Sequence, residues 1–218
     1  MRTLSSAVEH LVHIEGAVGS NPTVSTKLMN NKLKDFHHYK GQDLSRFEKV
    51  ERRVIDLIQE SKIDDSKRED SIVWEFMHAS GCMQIGRLLA EKRNLDVDIA
   101  SVICVLHDIY TIVNGTYKNH GPLGAQLAEK ILLEIGEFTD DEIKIITDAV
   151  YHHSEKEIYS KEPYVELVKD VDVFDCSLYK NAEGFYKLHK PEAIYNEYAS
   201  RIKKIREELG LSPDKVFR

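Results

Sequence analysis

The sequence predicts an all-α protein, built as a helical bundle. Apolar residues recur three and four positions apart in segment after segment, strand-like alternation is almost absent, and only 5 of 218 residues are proline. Capping signals and terminators bracket the periodic stretches and divide the chain into helices of ordinary length.

Residues 1–43 mix Gly, Asn, Ser and His around Asn21-Pro22 with weak periodicity, and read either as a short helix plus a loop or as a mobile extension. Ser45-Arg46-Phe47-Glu48 has the capping-box pattern and opens an amphipathic helix to about Ser61, apolar at Phe47, Val50, Val54, Leu57 and Ile58. After a polar linker over 64–70, a long helix runs from Ser71 to about Arg93, with Gly81 and Gly86 read as points of close packing. Asp96 can cap the next helix, whose Val97, Ile99, Ala100, Ile103, Cys104 and Leu106 are apolar on several sides, as expected of a central element. His107 and Asp108 stand at its C-terminal end, and a loop containing Gly115 follows.

A helix over 122–135 is then expected, with Pro122 in its first turn and Gly136 as terminator. Thr139-Asp140-Asp141-Glu142 is a second capping box, opening a helix that runs toward His152 and His153. Pro163 starts a helix through Asp170 and Asp172 to Tyr179, and a last amphipathic helix extends from Pro191 to Leu209, stopped by Gly210 and Pro213. The chain is thus expected to comprise an N-terminal extension over 1–70 with one amphipathic helix, a core over 71–180, and a C-terminal helical extension over 181–218 packing on that core.

Composition excludes several classes. A hydrophobic fraction of 42% beside 31% charged residues is that of a folded globular chain rather than a disordered or collagen-like one. With 30 Lys plus Arg against 37 Asp plus Glu, the net charge of -7 argues against a protein whose task is to grip a nucleic-acid polymer, and a phosphorylated substrate would need local cations. The three cysteines, Cys82, Cys104 and Cys176, lie in apolar helical patterns and read as reduced, buried thiols. Glu9, His10, His13 and Glu15 interrupt the first apolar stretch, and the longest apolar run, about 99–106, is short for a membrane span; a cytoplasmic protein without membrane attachment is expected.

Five of the ten histidines fall between residues 78 and 153, at or near helix ends and beside acidic residues. Imidazole and carboxylate together form the ligand set of catalytic transition metals, and inward side chains from several helices of a bundle can assemble one. His78, His107, Asp108, His120, His152, His153, Asp170 and Asp172 are the candidates. His107-Asp108 is the most informative, because an ionisable pair directly after Val102-Ile103-Cys104-Val105-Leu106 is costly to bury unless something binds it. Adjacent His37-His38, in a polar segment without ligand partners, read as solvated, as do His10, His13 and His189. Asp170 reads as solvent-facing or as supporting a ligand, Asp175 as the partner of a His or a Lys, Trp74 as packing or a pocket wall, and the run Arg201, Lys203, Lys204, Arg206 as a solvated helix face.

The series His78, His107-Asp108 and Asp172 resembles the H…HD…D signature of the HD-domain superfamily, all-helical metal-dependent hydrolases acting mainly on phosphate esters and anhydrides. The matching context includes Val105-Leu106-His107-Asp108-Ile109, His120-Gly121-Pro122-Leu123-Gly124-Ala125, His152-His153 and Val171-Asp172-Val173-Phe174-Asp175. The resemblance covers roughly residues 70–180 and implies an HD-domain-like bundle, the flanks being helical extensions. It implies one metal held by His78, His107, Asp108 and Asp172, and a second, in binuclear branches, held by Asp108, His120 and His152. The cofactor would be one or two divalent transition-metal ions: Fe, Mn, Co, Ni or Zn.

By the same resemblance the expected activity is hydrolysis of a small phosphorylated metabolite or nucleotide through a metal-activated water. Asp108 would bridge, His153 would contact the leaving group or a further metal, and Lys118 and Lys156 would contact phosphate. Two departures stand out: Ile109-Tyr110-Thr111 offers no carboxylate after the His-Asp pair, and no Gly-Tyr-Pro follows His152-His153. The same ligand pattern also serves di-iron oxygenases, and a metal-stabilised sensor or scaffold without turnover is a third reading. The terminal helices can pack on their own chain or form a homodimer.

Overall fold

The computed structural model describes residues 44–218. Helix α1 spans Arg46–Glu60 and α2 Ile72–Lys92, separated by a short 3-10 turn at Asp65–Lys67. Then come α3 (Val97–Leu106), α4 (Ile109–Asn114), α5 (His120–Ile135), α6 (Asp140–His152), α7 (Pro163–Ser177), α8 (Ala182–His189) and α9 (Glu192–Glu208). No strand occurs among the described residues, and the fold is all-α, as expected.

Local chemistry accounts for the boundaries. Both capping boxes form, Ser45 with Glu48 and Thr139 with Glu142, and the Asp96 and Ser71 side chains accept from the backbone N–H groups of Ile99 and Trp74. Gly115 and Gly136 end α4 and α5 at φ +69°, a conformation that other residues adopt only with strain. Two helices were not anticipated: α4, where a loop was expected, and α8, whose N-cap Asn181 is left-handed and makes no side-chain cap bond. Helix α5 begins two residues earlier than Pro122, because Asn119 takes a left-handed turn at φ 55° and starts it at His120.

Helix α3 is the centre of the fold. All eight residues from Ile99 to Leu106 are buried. One side, through Ile103 and Leu106, joins a core with Phe47, Val50 and Val54 of α1, Leu132 of α5 and Ile146 of α6. The other, through Ala100 and Cys104, joins a core with Cys82 and Leu89 of α2, Val171 and Phe174 of α7, and Ile202 and Ile205 of α9. A helix apolar all round needs cover on every face, and α3 receives it. The stretch Val97–Asn114, which by length and composition alone could cross a membrane, is 72% buried inside this fold.

The expected boundary at residue 70 is not a structural one. Residues 44–218 form one unit, with α1 in the same core as α3, α5 and α6. Residues 1–43, including His10, His13, His37 and His38, lie outside the described residues.

Asp170 corrects an expectation. It is 0% exposed and receives Arg93 at 2.7 Å, Arg201 at 2.7 Å and Lys204 at 3.4 Å. Arg201, read from sequence as part of a solvated face, is buried as well; it also pairs with Glu166 at 2.9 Å and donates to the Lys156 carbonyl at 2.7 Å. The helix periodicity of α9 hid this, because an arginine on an apolar face is buried only when another helix brings carboxylates to it. The network ties α9 to α7 and to the loop after α6. Removing Asp170 would leave the buried Arg201 and the partly buried Arg93 each short of a partner, so Asp170→Ala is expected to lower unfolding free energy by about 3 kcal/mol in urea denaturation.

Candidate metal centre

The C-terminal end of α3 opens into a cluster of imidazoles and carboxylates. His107 caps α3 and Asp108 follows it as the residue that starts α4. His78 reaches in from the middle of α2, His120 from the first residue of α5, His153 from the residue after α6, and Asp172 from α7. Two glycines let these elements approach. A methyl group at Gly81 would overlap the Asp175 carboxylate, and one at Gly121 would stand 2.5 Å from the Tyr151 carbonyl oxygen, so α2 closes on α7 and α5 on the end of α6 only without a side chain there.

Asp108 divides the cluster. Its Oδ2 lies 3.2 Å from His107 Nε2 and 3.7 Å from His78 Nε2, while Oδ1 lies 3.2 Å from His153 Nε2 and 3.5 Å from His120 Nε2. On the first side, His78 Nε2 is also 3.2 Å from His107 Nε2 and 3.5 Å from Asp172 Oδ1. Donor atoms about 2.0–2.2 Å from one ion stand roughly 3–3.7 Å from each other, which is the spacing seen on both sides.

Four hydrogen bonds fix which nitrogen of each ring faces inward. His107, His120 and His153 place Nδ1 at 2.7, 2.7 and 2.6 Å from the carbonyls of Cys104, Tyr117 and Val150, each three residues earlier in the chain. His78 sits in mid-helix, where the carbonyls of its own helix are engaged, and instead meets Asp175 Oδ2 of α7 at 2.7 Å. Carbonyl and carboxylate oxygens only accept, so Nδ1 carries a proton and donates in all four rings, and Nε2 is the atom each ring can offer to a cation. Four Nε2 atoms converge on the two carboxylates Asp108 and Asp172. A donor set of this kind, oriented from behind by a second layer of acceptors, fits one or two divalent cations.

Without an ion, burial pushes the His78 and His107 imidazoles down, but nearby sulfur and carboxylate groups outweigh it at His78, and Asp108 outweighs it at His107, holding both above the ordinary imidazole range, so a cation binding there displaces their Nε2 protons. Burial pushes the Asp108 carboxyl up, but His107 and His153 outweigh it and hold the group well below the usual carboxylate range. Asp172 is likewise held low against its burial, mainly by Lys156, which pairs with its Oδ2. Burial pushes the His153 imidazole down to about 4, so it stays a neutral donor at physiological pH.

His152, expected as a ligand, is not in the cluster. Its side chain is 38% exposed, with Nδ1 at 2.7 Å from Glu155 and Nε2 at 3.8 Å from Asp148. His153 occupies the place expected for it. Adjacent residues at a helix end point about 100° apart, and the burial that decides between them comes from α3 and α5, which sequence does not show.

Lys156 reaches the cluster as the buried partner of Asp172, rather than as an open phosphate contact. Lys118 is exposed on the loop before α5, two residues from His120. Trp74 stacks on His78 with ring centroids 5.4 Å apart, forming a wall of the centre.

Residues that sequence reading missed include Glu75 and Tyr117. Glu75 is 2% exposed, with Thr111 Oγ1 2.8 Å and Tyr117 OH 3.4 Å away, and the Tyr117 ring packs edge-on against His120. Its position three before His78, on the same helix face, was the available signal. The Thr111 hydroxyl also lies 2.7 Å from the Asp108 carbonyl and has one proton to give. A protonated Glu75 donating to Thr111 Oγ1 frees that proton for the carbonyl. Burial, then the Asp108 charge, push Glu75 up to about 7 in keeping with this arrangement.

Against this geometry stands the comparison with known families. Residues 76–177 match the family model of the HD domain. The chain carries an HD domain over that span, and its clustered His and Asp residues are consistent with the HD-domain superfamily. That superfamily is one of metal-dependent hydrolases, and the matched span of this HD-domain protein runs from α2 to the end of α7, taking in His78, His107, Asp108, His120, His153 and Asp172. Comparison with curated proteins and with solved structures finds no match.

Two outcomes are expected. In elemental analysis of purified protein, His152→Ala retains the wild-type metal content, whereas His153→Ala loses about half of it. In metal-free protein, Glu75 binds a proton in the fold between the unfolded value near 4.5 and about 7, so its contribution to stability is full below 4.5 and is lost as pH rises toward 7. Glu75→Gln, which cannot ionise, should therefore show a smaller loss of stability than wild type across that window in urea titrations.

Proposed function

We propose that this HD-domain protein is a phosphohydrolase that uses one or two divalent ions to hydrolyse a small phosphorylated metabolite or nucleotide. The observation that supports this most is Asp108, whose two oxygens address separate pairs of imidazole Nε2 atoms, His78 with His107 and His120 with His153. That arrangement suits a carboxylate shared between two cations. Divalent ions held there would lower the pKa of a water nucleophile and neutralise phosphoryl oxygens.

The chain's own residues do the rest. Lys156 keeps Asp172 ionised and turned toward His78, and Arg201 holds the backbone of Lys156 in place. Asp175, and the carbonyls of Cys104, Tyr117 and Val150, keep the four rings in one orientation, so no reorganisation precedes substrate binding. Glu75 holds Tyr117, and through it the backbone turn that carries His120. Lys118, exposed beside that turn, is placed in sequence to meet a substrate phosphate.

A screen of nucleotides, dinucleotides and sugar phosphates with Mn, Co, Ni and Fe tests the reading by phosphate release. Wild type is expected to turn over at least one class, Asp108→Ala to fall to background, and Lys156→Gln to lose about 10²-fold in kcat. Absence of phosphate release throughout, or full activity in Asp108→Ala, would sink it; iron-specific oxygen consumption would move the assignment to the oxygenase class.

A further inference from the structure

Three thiols surround the His78 side of the centre, and the metal reading above does not use them. Cys82 lies one helical turn after His78 on α2, and Cys176 one turn after Asp172 on α7. Cys104, on α3, has its sulfur against Gly86, where a methyl group would stand 2.5 Å from it, and serves packing.

Geometry separates the other two. Cys82 Sγ is 3.6 Å from His78 Nδ1 and 3.8 Å from His78 Nε2. Nearly equal distances to both nitrogens of one ring place the sulfur beside the ring, away from the direction in which Nε2 points. Cys176 stands differently. Its Sγ donates to Asp172 Oδ1 at 3.8 Å, the oxygen that faces His78 Nε2 at 3.5 Å; donor atoms of His78, Asp172 and Cys176 lie within 4.8 Å of one another, as do those of His78, Cys82 and His107, but of the two sulfurs Cys176 is the one hydrogen-bonded to a carboxylate of the centre. The other Asp172 oxygen is taken by Lys156, so the face of Asp172 that remains for a cation is the one Cys176 adjoins.

We propose that Cys176 is a sulfur ligand of the metal position formed by His78, His107, Asp108 and Asp172, because its Sγ extends that donor set at ligand-to-ligand spacing. The inference rests on the metal-centre reading. On binding, the thiol S–H bond breaks, the sulfur lone pair bonds the divalent ion, and the proton leaves to solvent; no electron is transferred. A thiolate among imidazoles and carboxylates draws the position toward zinc, cobalt or iron over magnesium or manganese.

Cobalt(II) substitution reads this directly. The full-length protein is loaded with cobalt, bound cobalt is counted by elemental analysis, and the near-ultraviolet thiolate-to-cobalt charge-transfer band is recorded. Wild type and Cys82→Ser are expected to show the band, and Cys176→Ser to lose it while still binding cobalt. Bound cobalt without the band in wild type, or a band that survives in Cys176→Ser, would overturn the sulfur ligand and leave the metal centre standing. Failure of wild type to bind cobalt would overturn both. Should Cys176→Ser not fold, zinc X-ray absorption on wild type decides: a sulfur shell at about 2.3 Å supports the proposal, and nitrogen and oxygen alone at about 2.0–2.1 Å reject it.

Discussion

The carboxylate of Asp108 sits where a charge should not be stable, buried at the end of a helix that is apolar on every side. Ionised and dry, it needs opposing charge or several good donors within reach. The arrangement around it can be understood as the answer to that need. Helices α2, α5 and α6 each bring one imidazole, α3 ends in a fourth, and α7 adds a second carboxylate with its own buried lysine. The packing of α3 between two apolar cores thus sets the position of the centre, and the centre in turn explains why so many helix ends meet at one point.

A repeated local device makes the convergence workable. Three of the four rings donate to the carbonyl three residues back, at places where a helix ends or the chain turns and such carbonyls are free. Each needs no distant partner to be oriented. His78 is the exception, because a mid-helix residue has no free carbonyl nearby, and it depends on Asp175 from α7 and on Gly81 to let that carboxylate approach. The side of the centre nearest α2 and α7 is therefore tied to long-range packing, while the side made by His120 and His153 is built mostly from local turns.

Further out, the ion network around Asp170 performs a related task. Arg201 joins α9 to α7 and to the Lys156 backbone, so a helix that lies outside the matched HD-domain span still holds the lysine that serves Asp172. The C-terminal helix is in this sense part of the site's support, with Ile202 and Ile205 anchoring it in the same core as Val171.

Much of this was legible from the residues alone. The apolar periodicity, the capping boxes at Ser45 and Thr139, and the glycine terminators specify helices through interactions within a few residues, so they can be read without a fold. His107-Asp108 was conspicuous because two ionisable groups after an unbroken apolar run imply burial with compensation. What tertiary structure alone decided are choices between neighbours and partners. His153 rather than His152 faces Asp108, Asp170 and Arg201 bury each other, Glu75 meets Thr111 and Tyr117, and Cys176 adjoins Asp172 on the side open to a cation. In each case the local sequence allows either outcome, and the difference lies in which surface of another helix, distant in the chain, arrives to exclude water from one side chain and not the next.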